Sequence, residues 1–537
     1  MKRTTYLLVI LLFLSLFLRI YRIADIPPAT YLDEMDNAFN AHSLLLTGKD
    51  AHGIPWPLQF QSLGDYKPPL PVYLLVPSIK LFGLNTFAIR LPSSLLSAVG
   101  VVGVFLLVRR LLGEKAGLLS AALITISAWH LHMSRGLLEG TMALSFLVYG
   151  VFFYISADKN PKRLIVSALL LCLPPYTYFS YRIMMPLFIL FLFWWGREWV
   201  FKTRRYALYF ITLILVLWLP IVYMTVFNRG FSRMNIAFEE RGQKITENVN
   251  LARTQIYAAP SWVKYAFHNK AVYWARDVAT AYVDTLSPGF LYLFGDNSIR
   301  YYLGGMGVLY LIELPFMVVG VFKAYGTHRK IFTLLVGWLL TAPIPTALAG
   351  HPFPLRSLAM LPPLLIFTVL GINAFLEWAR SINLLRPIGV GVVTVGFTLS
   401  FGYYLTRYFL EYPFAAASLW DWETEQAVRL AISEKDRYDR IYITNAYFDA
   451  DLTLAYQLAM HPDELKQMRE SPIFIDSNHF YVYHKFFIGS LNIKNANDLQ
   501  KLPPRTLYIG REDEYDSGEM IKHPGDGRVV LKIHRRD

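Results

Sequence analysis

Asp33 and Glu34 stand side by side in the run ATYLDEMDNAFNAH, about ten residues beyond the first long apolar stretch of the chain. A carboxylate in such a place can take the proton of an acceptor hydroxyl while its neighbour orients a group or a metal. Read alone, the pair is also what a solvated loop looks like. Further along, GDYKPPLP holds Lys67, the only Lys or Arg between Lys49 and Lys80, against a double proline, with Asp65 two residues earlier. A stiffly held lysine at a membrane surface suits a lipid phosphate, and a snorkelling interfacial lysine has the same signature.

Three further segments carry charge where apolar runs end. In HLHMSRGLLEGT, Arg135 and Glu139 are four apart, so on a helix they share a face and can pair. His130 and His132 precede them and read as interfacial. AGHPFPLRS places His351 and Arg356 at another turn, and YTYFSYR does the same with Tyr178, Tyr181 and Arg182. The arginines are candidates for phosphate binding. A long aromatic-rich segment offers His268, Asn269, Lys270, Asp296, Asn297 and Arg300. Of these, His268 can donate to a phosphate or bind a metal, though a lone loop histidine more often does neither.

The elements that position these groups are mostly membrane spans. The 537 residues are 54% hydrophobic and only 17% charged, against about 25% charged in a soluble domain. Apolar runs of roughly the length that crosses a bilayer fall near 5–24, 86–108, 115–133, 137–157, 164–181, 183–199, 207–227, 304–323, 331–349, 356–377 and 387–407. Taken as about 11 spans with the N-terminus cytoplasmic, they put Arg109, Arg110, Lys115, Lys159, Lys162, Arg163 and the Arg197–Arg205 cations inside, and only single cations in the short outer turns. That is the positive-inside bias, and it accounts for the net charge of +13 without nucleic acid. The first run looks like a signal peptide with no small-residue cleavage site after it, and is read as an uncleaved span. Cys172 is the only cysteine, so no intramolecular disulfide forms.

This topology makes residues 1–407 a polytopic α-helical membrane module, with outer loops at about 25–85 and 228–303. Residues 408–537 become a small extracytoplasmic α/β or α+β domain, in which WETEQAVRLAISEK and ADLTLAYQLAM read as helices and RIYITN, FYVYHKFF, RTLYIG and RVVLKIH as strands. Every polar cluster singled out above then faces outward. No glycine-rich phosphate loop appears, and no internal repeat.

The ordered series Leu32-Asp33-Glu34 with Ala38 and Ala41, Gly-Ile-Pro-Trp-Pro, Lys67-Pro68-Pro69-Leu70 with Tyr73, Leu81-Phe82-Gly83, Arg90-Leu91-Pro92, Ser134-Arg135 with Glu139, and the late Arg356 resembles the GT-C superfamily of polyprenyl-phosphate-sugar-dependent glycosyltransferases. The likeness is to the bacterial relatives of protein O-mannosyltransferases and of the lipid A aminoarabinose transferase, and covers roughly residues 1–410. It implies inverting transfer of a single sugar from a polyprenyl-phosphate donor to a protein, lipid or glycan hydroxyl outside the cell membrane. In that pattern Asp33 is the base and Glu34 its partner, and Lys67 and Arg135 meet phosphate. Asp65, Glu139, Arg182, His268, His351 and Arg356 complete the candidate substrate contacts. Two positions depart from the pattern: Glu139 stands where Asp is frequent, and Tyr66 stands where the aminoarabinose branch has Glu. The second departure leaves that branch's metal arrangement without one of its residues, with Asp65 one position earlier; a divalent metal stays open, its ligands unknown, and no other cofactor is implied. The Trp-Trp-Asp signature of oligosaccharyltransferases is missing, which argues against transfer of a preassembled glycan. A lipid-carrier flippase or exporter, with ionisable groups at the membrane midplane, and a non-catalytic membrane scaffold are the competing readings.

Overall fold

The computed structural model describes residues 2–537 apart from 63, 228–231, 297, 383–384, 446, 448, 476–477, 492, 494–495 and 516–517, so Asn297 lies outside the described residues. Helices dominate up to residue 433, and a mixed sheet follows. Among the described residues six helices are long and apolar enough to cross a membrane: Arg3–Ile20, Thr86–Leu112, Arg197–Thr225, Arg329–Ala349, Pro354–Ser381 and Pro387–Ala415. Glu139–Ile155, Arg163–Thr177 and Ser180–Trp195 are shorter apolar helices.

Three expected spans differ in detail. The run 115–133 divides at Ser127, whose extended ψ of 122° starts a second short helix that its hydroxyl caps. The run 304–323 becomes helical only at Glu313, because Gly304 and Gly305 take positive φ, a conformation glycine reaches without a Cβ penalty. The run 331–349 breaks between Thr341 and Ile344, at Pro343.

Helix packing relies on small residues where backbones meet. A Cβ on Gly320 would run into the carbonyl of Phe367, and one on Gly371 into the carbonyl of Phe316. The helices Glu313–Thr327 and Leu361–Ser381 therefore touch backbone to backbone through a reciprocal pair of glycines, the close approach that dispersion and weak hydrogen bonding reward inside a membrane.

The chain leaves α1 (Lys2–Ile20), crosses an irregular linker and enters α2 (Leu32–Thr47). Glu34 caps α2 by accepting from the Tyr31 amide, and Gly48, at φ +71°, ends it. Met35, Ala38, Phe39, Ala41 and Leu44 are buried along α2. They share one apolar cluster with Val72, Leu75 and Ile89 of the helical part and with Val428, Leu452, Leu465 and Ile441 of the C-terminal part. The helix is thus a layer between the two. A two-stranded hairpin, β1 (Phe60–Gln61) and β2 (Tyr66–Lys67), pairs Phe60 with Lys67 and feeds α3 (Pro69–Phe82). Proline at the first helical position costs no hydrogen bond there.

Beyond the helix Trp422–Ser433 the sheet runs in the order β4 (Ile473–Ile475), β5 (Asn478–Tyr483), β6 (Phe486–Ile488), β3 (Arg440–Ile443), β7 (Thr506–Arg511), β9 (Val529–Arg536), β8 (Glu519–Lys522), with β3 between β6 and β7. Those three are parallel and the others antiparallel. The helices Ala450–Leu458 and Pro462–Glu470 follow β3. The expected α/β or α+β character is what the fold has, with both predicted helices in place; three of the predicted strand runs are single strands, and FYVYHKFF turns at His484 into the antiparallel pair β5 and β6.

Candidate active site at the start of helix α2

Asp33 opens α2, and Lys67 closes on it from β2. Lys67 Nζ donates to Asp33 Oδ1 across 2.5 Å. The lysine side chain is 4% exposed and the aspartate 36%, so the pair presents its carboxylate outward. Burial works against the Lys67 charge, but the carboxylates of Asp33 and Glu139 outweigh it and its pKa is raised. One turn along α2 from Asp33, Asn37 Nδ2 donates to Glu139 Oε1 at 3.3 Å. The i, i+4 spacing puts Asp33 and Asn37 on one helical face. Asp33, Lys67, Asn37 and Glu139 form one polar group where α2, the hairpin and the helix Glu139–Ile155 meet.

Aromatic and cationic groups flank it. The Arg300 guanidinium lies 3.8 Å from the centre of the Tyr31 ring, and its Nε donates to Leu419 O. Tyr301 feels the charges of Asp33 and Glu139 as well as that of Arg300. Tyr178 lies within electrostatic range of Arg356, Glu139 and Tyr301. Arg356 stacks over Phe353, which also packs on Tyr301. Four of the sequence-derived candidates, Asp33, Lys67, Glu139 and Arg356, are therefore brought together, with Asn37, Arg300 and Tyr301 added.

Other candidates sit elsewhere. Arg135 does not pair with Glu139, because residues 134–138 form a turn rather than a helix. Its buried guanidinium instead donates to the carbonyls of Leu18, Tyr21 and Ile26 and to the Tyr408 hydroxyl. Glu34 faces away from Lys67 and toward Arg90. It is 1% exposed, ion-paired with Arg90 at 2.8 Å, and accepts the amides of Tyr31 and Leu137. Its two oxygens are thus engaged by Arg90 and two backbone amides rather than by the groups around Asp33. Asp65 is buried in the hairpin turn, where its carbonyl accepts from the Ser62 amide. Arg182 donates to Pro175 O and borders an apolar recess of about 240 Å³ with Phe179, Ile183 and Trp218. His268 bonds the Tyr273 hydroxyl at 2.8 Å in a separate helical segment, and exposed His351 bonds the Pro352 carbonyl. Among the described residues no three His, Cys, Asp or Glu side chains converge to hold a metal.

Sequence reasoning missed the groups that hold Asp33 in place. Arg90 donates to the carbonyls of Ile23, Pro27 and Ala29 besides pairing with Glu34. From the C-terminal part, Glu425 accepts the Thr30 amide at 2.8 Å and Asp421 the Leu32 amide at 2.9 Å. Asp33 thus stands next to backbone fixed by Arg90, Glu34, Asp421 and Glu425. Arg90 was visible only as part of a motif. Asp421 and Glu425 lie almost 400 residues away in sequence, with no local signal.

Residues 66–224 match the family model described as dolichyl-phosphate-mannose-protein mannosyltransferase. No curated protein matches the chain in sequence. Among solved structures, the Archaeoglobus fulgidus oligosaccharyltransferase tethered to an acceptor peptide is similar, with a TM-score of 0.50 and 13% identity over 75% of this chain and 55% of that one. Its apo form gives 0.49 and 14%, over 75% and 56%. ArnT from Cupriavidus metallidurans bound to undecaprenyl phosphate gives 0.48 and 12%, over 99% and 97%. The chain spans about half the length of the oligosaccharyltransferases it matches. The segment that carries Lys67 thus resembles the mannosyltransferase family, and the fold of the chain is similar to that of the archaeal oligosaccharyltransferase.

Proposed function

We propose that the protein moves one sugar from a polyprenyl-phosphate donor to an acceptor hydroxyl at the outer membrane face, with inversion and with Asp33 as general base. The observation that carries this reading is the Asp33–Lys67 pair, a carboxylate and an ammonium 2.5 Å apart at one mouth of the helical bundle. Asp33 takes the proton of the acceptor O–H. The acceptor oxygen bonds to the anomeric carbon while the bond from that carbon to the phosphate oxygen breaks, and the electron pair leaves with the lipid phosphate. Lys67, which spends one of its three N–H donors on Asp33, offers charge to that phosphate, with Arg300 and Arg356 flanking. Stabilising the leaving group and aligning the reactants are what such a reaction requires of a protein, because the donor is already activated.

Undecaprenyl phosphate in ArnT and an acceptor peptide in the archaeal oligosaccharyltransferase are the ligands of the similar proteins. They support a lipid-linked donor and leave the acceptor class to the cleft considered next. In this reading residues 1–407 are the catalytic membrane module with a cytoplasmic N-terminus, and residues 408–537 an extracytoplasmic domain that fixes the start of α2. The test is sugar release and transfer from polyprenyl-phosphate sugars by purified wild type and Asp33→Asn. Equal rates from the two proteins would refute the assignment of the base.

A further inference from the structure

A cleft of about 450 Å³ separates α2 and the loop after it from the helix Pro462–Glu470 of the C-terminal part, within the size range of small-ligand pockets, roughly 300–1,000 Å³. Asp36 lines it, three residues and about 4.5 Å of helix rise from Asp33. The Asp36 side chain is 8% exposed, and its buried Oδ2 has no hydrogen-bond partner. A carboxylate oxygen that is buried and unpaired is costly unless something else occupies it. Burial pushes the Asp36 carboxyl up, opposed by the Ser62 hydroxyl and the Lys67 charge, so the group is in electrostatic contact with the Asp33–Lys67 pair. The cleft therefore adjoins the Asp33–Lys67 pair through Asp36.

The lining decides what could fill it. Lys466 and Arg469 enter from the far wall, and Asp36 and Glu470 balance them. Arg469 is already spent on Asp451 at 2.5 Å. A polyanionic ligand would meet Asp36 and Glu470, and a polycationic one Lys466 and Arg469. A neutral molecule rich in hydroxyls meets neither penalty, gives O–H donors to the Asp36 carboxyl and accepts from Lys466. Phe39, Leu452 and Leu465 supply apolar wall for C–H faces.

We propose that this cleft binds a neutral saccharide portion of the acceptor, with Asp36 accepting from its hydroxyls and Lys466 donating to it, so that one further hydroxyl reaches Asp33. The proposal rests on the glycosyl-transfer reading of Asp33, and its test is kept separate from that reading. The experiment is a titration of full-length protein, purified in a sugar-free detergent, with neutral trisaccharides of mannose and of glucose and with a serine-containing peptide, followed by saturation-transfer NMR. Saturable trisaccharide binding is expected, weakened about tenfold or more by Asp36→Asn and by Lys466→Ala, the scale of a lost hydrogen bond to a charged group. The Lys466 side chain is 53% exposed, so this variant reports even if Asp36→Asn folds poorly. No trisaccharide binding, binding indifferent to both variants, or binding of the peptide alone would overturn the proposal. Asp33→Asn separates the two ideas. Trisaccharide binding with unchanged sugar transfer removes the base and leaves the cleft; transfer abolished by Asp33→Asn without trisaccharide binding removes the cleft and leaves the base.

Discussion

Lys67 reaches Asp33 across 2.5 Å from a strand that a double proline terminates, while Asp33 opens a helix whose start is tied to two distant parts of the chain. Neither partner can drift without moving an element. Asp33→Asn is expected to lower kcat by about 10²–10⁴, the range of general-base contributions. Lys67→Met should lose about 10²–10³ in kcat through the leaving phosphate. Radiolabelled sugar transfer measures both, and an unchanged rate for Lys67→Met would remove it from the phosphate site.

The Glu34–Arg90 pair is fully buried, so removing one member leaves the other charged in an apolar setting. Glu34→Ala is expected to destabilise by about 3–5 kcal/mol, seen as a lower melting temperature in detergent. Glu34→Leu combined with Arg90→Met should recover part of that loss. Recovery of stability without recovery of transfer would show that the pair serves to place Asp33 rather than merely to hold the fold.

Asp421 gives a pH signature. Burial, opposed by the Leu32 amide and the Arg300 charge, raises its carboxyl from the ordinary 3.8 to about 6. The folded protein therefore binds more protons than the unfolded chain between those values, and stability falls as pH rises through that window. Asp421→Asn can still accept the Leu32 amide and does not titrate. The melting temperature of wild type relative to Asp421→Asn should drop between about pH 4 and pH 6 and be flat above; a flat difference throughout would exclude Asp421 as the titrating group.

Gly320 and Gly371 cannot accept a side chain without separating two helices, because each would place a Cβ on the other helix's carbonyl. Gly371→Val is expected to reduce the yield of folded protein sharply, as judged by a monodisperse peak in size-exclusion chromatography. Gly326, with nothing within 4 Å of a Cβ, is the matched control, and Gly326→Ala should leave the yield unchanged.

Apolar run length located the apolar helices, because it is a local property of the chain. The amphipathic helix after Asp33 could be read for the same reason, as could the strands of the C-terminal part. Arg135 could not, since its i, i+4 relation to Glu139 holds only on a helix and the chain turns at Ser134–Leu138. Glu34 looked like half of a catalytic pair because adjacency in sequence hides that successive residues of a helix point about 100° apart. That angle sends one carboxylate toward Lys67 and the other toward Arg90. Asp421 and Glu425 meet backbone amides, and an amide leaves no mark on residue type.

Arg90 and Arg135 together grip six carbonyl oxygens between Leu18 and Ala29. Carbonyls are the same in every residue, so the two arginines recognise the path of the linker rather than its lettering. The side chains of this stretch are accordingly open to substitution wherever they are exposed, as at Tyr21, while a single inserted or deleted residue would shift every oxygen out of register. The buried side chains of Ile23, Ile26 and Ala29 set the rest of the constraint on this segment, and its length sets the register.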